Sequence, residues 1–368
     1  MVKLYKIDRM LIIITSLLVL IGLIMVYSST HRLAFEQHHD SLFYLKKQLK
    51  FLVLGLLAAV IISSLKNPLY LNTKLVMGAM LIAIIGLSMV FITGRINNSF
   101  RWIRVGGFSI QPSEYAKIAV VLYLAFILSR KTNDINDIRK LLVLMIPVFV
   151  VELLILKEPD LGNFMLILAI TLIMLFLAGL RLRYFGYFAL IMIPCMILIF
   201  MMNPDKMNRI TAFLSPTSQE TAANFQVHQS IYAVGSGGIF GKGLGKSTQK
   251  LFFLPYAYSD FIYSIIGEEV GFVGASSVVV LFFLFMIRGL NVAKQSGYNH
   301  TYLLVTGLTF LIVLQAMINI SVTLGVFPTK GIPLPFISNG GSSLVACLII
   351  AGIILNVSRH RKMVLAND

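Results

Sequence analysis

Ten apolar runs decide what this chain can fold into. They lie at about residues 10–28, 48–65, 73–93, 113–129, 140–156, 161–180, 184–202, 260–288, 302–325 and 341–357. Each is close to or above the roughly 20 residues a helix needs to cross a hydrocarbon core about 30 Å thick. Backbone groups in lipid must satisfy one another, so such runs form helices. With 58% hydrophobic and only 12% charged residues, the chain could not hide its apolar surface in a soluble domain. The expected fold is an all-α integral membrane protein of about ten transmembrane helices. Residues 1–368 form one polytopic membrane domain, with a large extracytoplasmic loop at 203–259 between helices 7 and 8. Residues 10–28 follow Lys3, Lys6 and Arg9 but are too long for a signal-peptide core, and read as an uncleaved anchor. Cys195 and Cys347 fall inside runs, where they suit neither a disulfide framework nor a metal site.

Charge placement orients the bundle. With ten spans and both termini in the cytoplasm, the inner segments hold 16 of the 31 Lys and Arg residues. The long segment 203–259 is discounted, because long loops cross largely regardless of charge; nine basic residues then remain outside. The outer ones form two groups, Arg95, Arg101 and Arg104 in one loop and Lys242, Lys246 and Lys250 in another. They could anchor to anionic headgroups, or form a basic cleft for a phosphate or diphosphate. Charge alone leaves both readings open.

Against this apolar background Asp260 stands out, closing a glycine-rich loop and opening the eighth run. A carboxylate near membrane depth costs about 2.5–3.5 kcal/mol on the mildest scale, which makes it a functional candidate. Asp also suits a helix N-cap, the simpler alternative. In the loop before it, GlyLysSer at 245–247 resembles the end of a phosphate loop, but Phe240 stands where the first glycine is needed. Phe225, Ile231 and Val234 fit one face of a short interfacial helix. Pro328, Pro333 and Pro335 forbid a continuous helix through 326–343, so that apolar stretch reads as re-entrant or cavity-lining.

Three further features carry polar chemistry. Pro112 suits the first position of a helix, which would put Glu114 and Lys117 on one face near the outer end of the fourth span. That pair either neutralises itself for packing or serves a substrate. Trp102, the only Trp, is by default an aromatic-belt anchor. Asp160, in LysGluProAspLeuGly at 157–162, could simply cap the sixth helix.

These motifs occur in an order that resembles a known family. ArgTrpIle with GlnProSerGlu-x-x-Lys, GluProAspLeuGly, GlySerGlyGly, LeuPro-x-x-x-x-AspPheIle with GlyGluGlu, and LeuPro-x-IleSer-x-GlyGlySerSer follow one another across almost the whole chain. Together they resemble the SEDS family of shape, elongation, division and sporulation proteins, which includes RodA, FtsW and SpoVE. GlyLysSerThrGlnLysLeu at 245–251 and ProThrLysGly at 328–331 are most similar to the FtsW, or division, branch. The chain departs at Tyr258, where the family often has His, and at Asn339, where it usually has Tyr.

The resemblance implies a peptidoglycan glycosyltransferase that polymerises lipid II, the undecaprenyl-diphosphate-linked disaccharide pentapeptide, at the outer face of the bacterial cytoplasmic membrane. It implies Asp260 as the catalytic carboxylate. Trp102, Arg101, Glu114, Lys117, Asp160, Lys330 and Ser338 are the implied substrate-binding residues. Expected partners are lipid II, a class B penicillin-binding protein acting as transpeptidase, divisome proteins and membrane lipids, with no nucleic acid. No cofactor is demanded, although Asp260 could hold a divalent cation such as Mg2+. A hydroxyl is a weak nucleophile, so a positioned carboxylate that takes its proton is worth about 10²–10⁴-fold. One lone carboxylate points to direct displacement with inversion. A lipid II flippase, or an elongation or sporulation polymerase of the RodA or SpoVE kind, are the alternatives.

Overall fold

The computed structural model describes residues 7–66, 69–93, 100–105, 108–130, 135–201, 222–250, 254–255, 257–329 and 331–360. A helix forms at every one of the ten apolar runs. These are α1 (Arg9–His38), α2 (Phe43–Ser64), α3 (Thr73–Thr93), α4 (Pro112–Leu128), α5 (Ile138–Lys157), α6 (Leu161–Leu177) and α7 (Leu182–Met201), then α9 (Ile262–Lys294), α10 (Asn299–Thr323) and α11 (Gly341–His360). One more, α8 (Ala222–Ser236), lies in the long segment between α7 and α9. Among the described residues five helices, α1, α3, α9, α10 and α11, are long and apolar enough on their own to cross a membrane. The strands β1 (Ile103–Val105) and β2 (Phe108–Ile110) pair antiparallel, Ile103 opposite Ile110, between α3 and α4.

Local chemistry sets the ends. Pro112 is in the first turn of α4, as its missing N–H predicts. Asp8, Asp137 and Asp160 cap α1, α5 and α6 with side-chain acceptors. The 30 residues of α1 rise about 45 Å, so it runs well past the apolar residues that predicted it.

The bundle is layered by polarity in an unusual sense. Helices α4 and α10 are buried on nearly all sides, with Leu124, Leu304 and Leu308 fully enclosed. Helices α2, α3 and α7 instead turn large apolar side chains outward, among them Ile82, Ile92 and Leu190. Apolar exposure of this extent suits lipid rather than water. The stretch between α10 and α11 is non-helical, as its prolines predict, yet Ile332, Leu334, Phe336 and Ile337 are buried. Its backbone at Phe336 and Ile337 lies against Gly22 of α1, where a Cβ would not fit. Helix α8 forms where Phe225, Ile231 and Val234 predicted it. Its Ala233 and Ser230 face inward, and Ser230 Oγ donates to the carbonyl of Thr323 at 2.7 Å. Phe225 and Ile231 stay exposed.

Candidate functional site

Two non-helical segments meet at one end of the bundle, and Asp260 lies where they touch. Ser338 Oγ donates to the Ser259 carbonyl at 2.5 Å and accepts from Leu334 N at 2.8 Å. Asn339 N donates to the Tyr258 carbonyl at 3.0 Å. From α10, Asn319 Nδ2 donates at 2.8 Å to the carbonyls of both Asp260 and Ile332. Asp260 is half-buried, and a Cβ on Gly331 would lie 3.1 Å from its Oδ2. The carboxylate therefore lies against the bare backbone of Gly331, where a Cβ would crowd it. The N-cap of α9 is Phe261, one residue later, with no side-chain cap bond. Ser338, one of the expected substrate-binding residues, ties the two segments together.

The predicted pair is present and deeply enclosed. Lys117 Nζ lies 2.8 Å from Glu114 Oε1, and both side chains are about 1–2% exposed. It also donates to Gln315 Oε1 at 2.9 Å, while Gln315 Nε2 donates to the Pro333 carbonyl at 2.9 Å. An ion pair so buried is stabilising only when further hydrogen bonds complete it. Gln315 and Asn319, one turn apart on α10, thus hold the proline-broken segment from a single helix face. Sequence reasoning missed both. Their signal was two amides four residues apart inside an apolar run, where side-chain amides need partners.

Asp160 takes the capping role. Its Oδ1 accepts from Asn163 N at 3.2 Å and its Oδ2 from Asn163 Nδ2 at 2.9 Å. Arg101 Nε stands 3.9 Å from Oδ2, while Arg101 Nη2 donates to the Pro159 carbonyl at 2.7 Å. Arg101, just before β1, thus ties the β1–β2 hairpin to the start of α6. The Ile332 side chain reaches Gly162, so the α6 N-terminus and Asp260 flank the same two residues, Gly331 and Ile332. Trp102 is half-buried beside Arg101, just before β1. Lys330 lies outside the described residues.

Glu158 was not singled out from sequence. It is fully buried in the α5–α6 turn, and neither carboxylate oxygen has a hydrogen-bond partner among the described residues. Burial first, then the neighbouring Asp160 charge, push it up to about 8, against a smaller opposing pull from Arg101. The folded state therefore holds a proton between about pH 4.5 and 8 that the unfolded chain has released, and stability falls as pH rises through that window. Glu158→Gln, which keeps the neutral shape, should raise the melting temperature at pH 7.5 and leave it unchanged at pH 4. Equal shifts at both pH values would contradict a protonated Glu158.

Among the described residues, several of the outer basic groups are engaged by partners within the protein. Lys242 and Lys250 are each 2.7 Å from an internal carboxylate, Glu268 and Glu269 respectively. Arg101 is engaged as described, Arg95 lies outside the described residues, and Arg104 and Lys246 remain exposed. Among the described residues no three His, Cys, Asp or Glu side chains converge as a metal cage. Asp260 would offer a cation one carboxylate, which suits only an ion such as Mg2+ that arrives largely ligated by phosphates.

The architecture and sequence have clear relatives. The cell cycle protein family of FtsW, RodA and SpoVE matches residues 8–363. The probable peptidoglycan glycosyltransferase FtsW of Trichlorobacter lovleyi is 36% identical over 98% of this chain and 95% of its own length. Stage V sporulation protein E of Bacillus subtilis is 38% identical over 96% of this chain and 98% of its own. Among solved structures, a chain of a peptidoglycan synthase complex that coordinates polymerization and crosslinking superposes with a TM-score of 0.80. Its identity is 27%, over 97% of this chain and 99% of that one. The rod shape determining protein RodA of Thermus thermophilus superposes at 0.70, with 26% identity over 97% of this chain and 98% of that one. The chain is a multi-pass membrane protein and belongs to the FtsW/RodA/SpoVE family of cell cycle proteins.

Proposed function

We propose that this protein is a peptidoglycan glycosyltransferase that polymerises lipid II at the outer face of the bacterial cytoplasmic membrane, for septal wall synthesis. The observation that carries the reading is the Asp260 carboxylate, which faces Gly331 at the meeting of two broken segments, its main-chain carbonyl held by Asn319. In this reading Asp260 accepts the proton of the attacking sugar hydroxyl as the glycosidic bond forms. Displacement at the anomeric carbon releases the lipid diphosphate with inversion. Lys117 uses two of its three N–H donors on Glu114 and Gln315, and has no third acceptor among the described residues. That remaining donor would stabilise negative charge on the leaving diphosphate. A divalent cation such as Mg2+, if bound, would add Lewis-acid stabilisation of the same charge.

Ten spans put Asp260, Lys117, Asp160 and α8 at the outer end and both termini inside. Cysteine at exposed Lys246 should then label from outside intact cells, and cysteine at exposed Gln295, between α9 and α10, only after permeabilisation. The reverse pattern would invert the topology. A class B penicillin-binding protein and divisome proteins are the natural partners, since a polymerised strand must be crosslinked. The decisive assay is polymerisation of purified lipid II by the purified protein, with and without such a transpeptidase. Transbilayer movement of lipid II without polymer would favour the flippase instead.

A further inference from the structure

Helix α9 is not one helix. At Gly271 the backbone turns to φ 70, ψ −167, a conformation open to glycine, and the helical hydrogen bonding stops. The adjacent turn of the long loop satisfies the freed groups. Lys242 N and Gly243 N donate to the Glu268 and Glu269 carbonyls at 3.0 Å each. Phe272 N and Val273 N donate to the Gly238 and Ile239 carbonyls at 2.9 and 3.2 Å. The approach is so close that Gly241 has no room for a Cβ against Glu269. Residues Ile262–Val270 thus form a short helical piece, uncoupled from the rest of α9, with Asp260 just before its first turn.

Two carboxylates fasten the far end of that piece. Glu268, fully enclosed, accepts from Lys242 Nζ at 2.7 Å, Thr248 Oγ1 at 3.0 Å, Thr248 N at 3.2 Å, Gln249 N at 3.3 Å and from Ser247 Oγ. Glu269 accepts from Lys250 Nζ at 2.7 Å and from Ser28 Oγ of α1 at 2.6 and 2.8 Å. The GlyLysSerThr stretch that resembles a phosphate loop is therefore an anion-binding loop whose anion is the protein's own Glu268. Loop, α1 and the Asp260-bearing piece are joined at one point.

We propose that Glu268 and Glu269 are positioning residues for glycosyl transfer, clamping the short Ile262–Val270 piece through Lys242 and Lys250 so that the outer loop sets where Asp260 stands. The proposal rests on Asp260 being the base. The eight-residue step from Glu268 back to Asp260, mostly helical, makes an arm of about 12 Å. A tilt of about 5° at the clamp then moves Asp260 by about 1 Å, and an error of that size costs about a hundredfold in rate. A pair present only to neutralise buried charge would need no link to α1, nor the loop backbone folded around it.

The test separates positioning from structure. Lys250→Met with Glu269→Gln removes both charges together, so neither is left buried and alone. The proposal expects a melting temperature within a few degrees of the parent, KM within about twofold and kcat down about a hundredfold. It also expects faster amide hydrogen exchange across 258–266, a readout independent of activity. Lys242→Met, at the pair that is one-third exposed, should lower kcat about tenfold with the fold intact. Parental kcat in the double variant overturns the proposal, and so does a kcat that falls only in step with the melting temperature, or unchanged exchange. The parent and Asp260→Asn are run in the same assay, so failure of the underlying functional reading shows in those two arms and failure of the clamp in the others.

Discussion

Asp260→Asn should fold and bind lipid II, yet make no polymer. General-base catalysis is worth about 10²–10⁴-fold, and Asn cannot accept the proton. The substitution spares the structure for reasons visible at the site. The backbone of residue 260 is held through its carbonyl by Asn319, the Ser338 strap acts on Ser259, and the N-cap of α9 is Phe261. Asn occupies the same volume beside Gly331. Polymer at near-parental rate from this variant would exclude Asp260 as the base. Binding of lipid II and melting temperature, measured on the same preparation, show whether a loss is chemical.

Lys117→Met should be the next most damaging change, and for two separable reasons. It strands Glu114, about 1% exposed, without its counter-charge, which costs about 3–5 kcal/mol in a buried pair. It also removes the donor to Gln315, and so loosens the hold on Pro333. Lys117→Met with Glu114→Gln removes both charges and should recover most of the melting temperature. If the ammonium serves the diphosphate, the double variant stays inactive. Recovery of polymerisation with stability would instead assign the pair to packing alone.

The broken segments show where sequence reasoning succeeds and where it stops. Three prolines announce the non-helical stretch before α11, because proline's missing N–H and its ring are local properties. The break in α9 has no such mark. Gly271 is an ordinary glycine in an apolar run until the turn at 238–243 arrives to satisfy the groups it frees. Gly241 in that turn, and Gly237 just before it, serve close backbone packing against α9. Lys242 and Lys250 look like surface charge in sequence, yet Lys250 is about 3% exposed and bound to Glu269. Asp160 shows the opposite case, since the simple capping reading describes its geometry well.

What the sequence determined by itself is the class and the local grammar. The helix at each apolar run, the start of α4 at Pro112, the short helix in the long loop and the residues able to carry charge all follow from composition, periodicity and propensity, which act over a few neighbours. What only the tertiary structure decided is which polar groups are already spent on one another. Asp260 is distant in the chain from Asn319, Lys117 from Gln315, and Ser28 from Glu269. Their assembly depends on how α1, α9 and α10 pack around the broken segments. In an apolar interior most buried donors and acceptors find a partner, and that pairing is a property of the whole fold that no local pattern records.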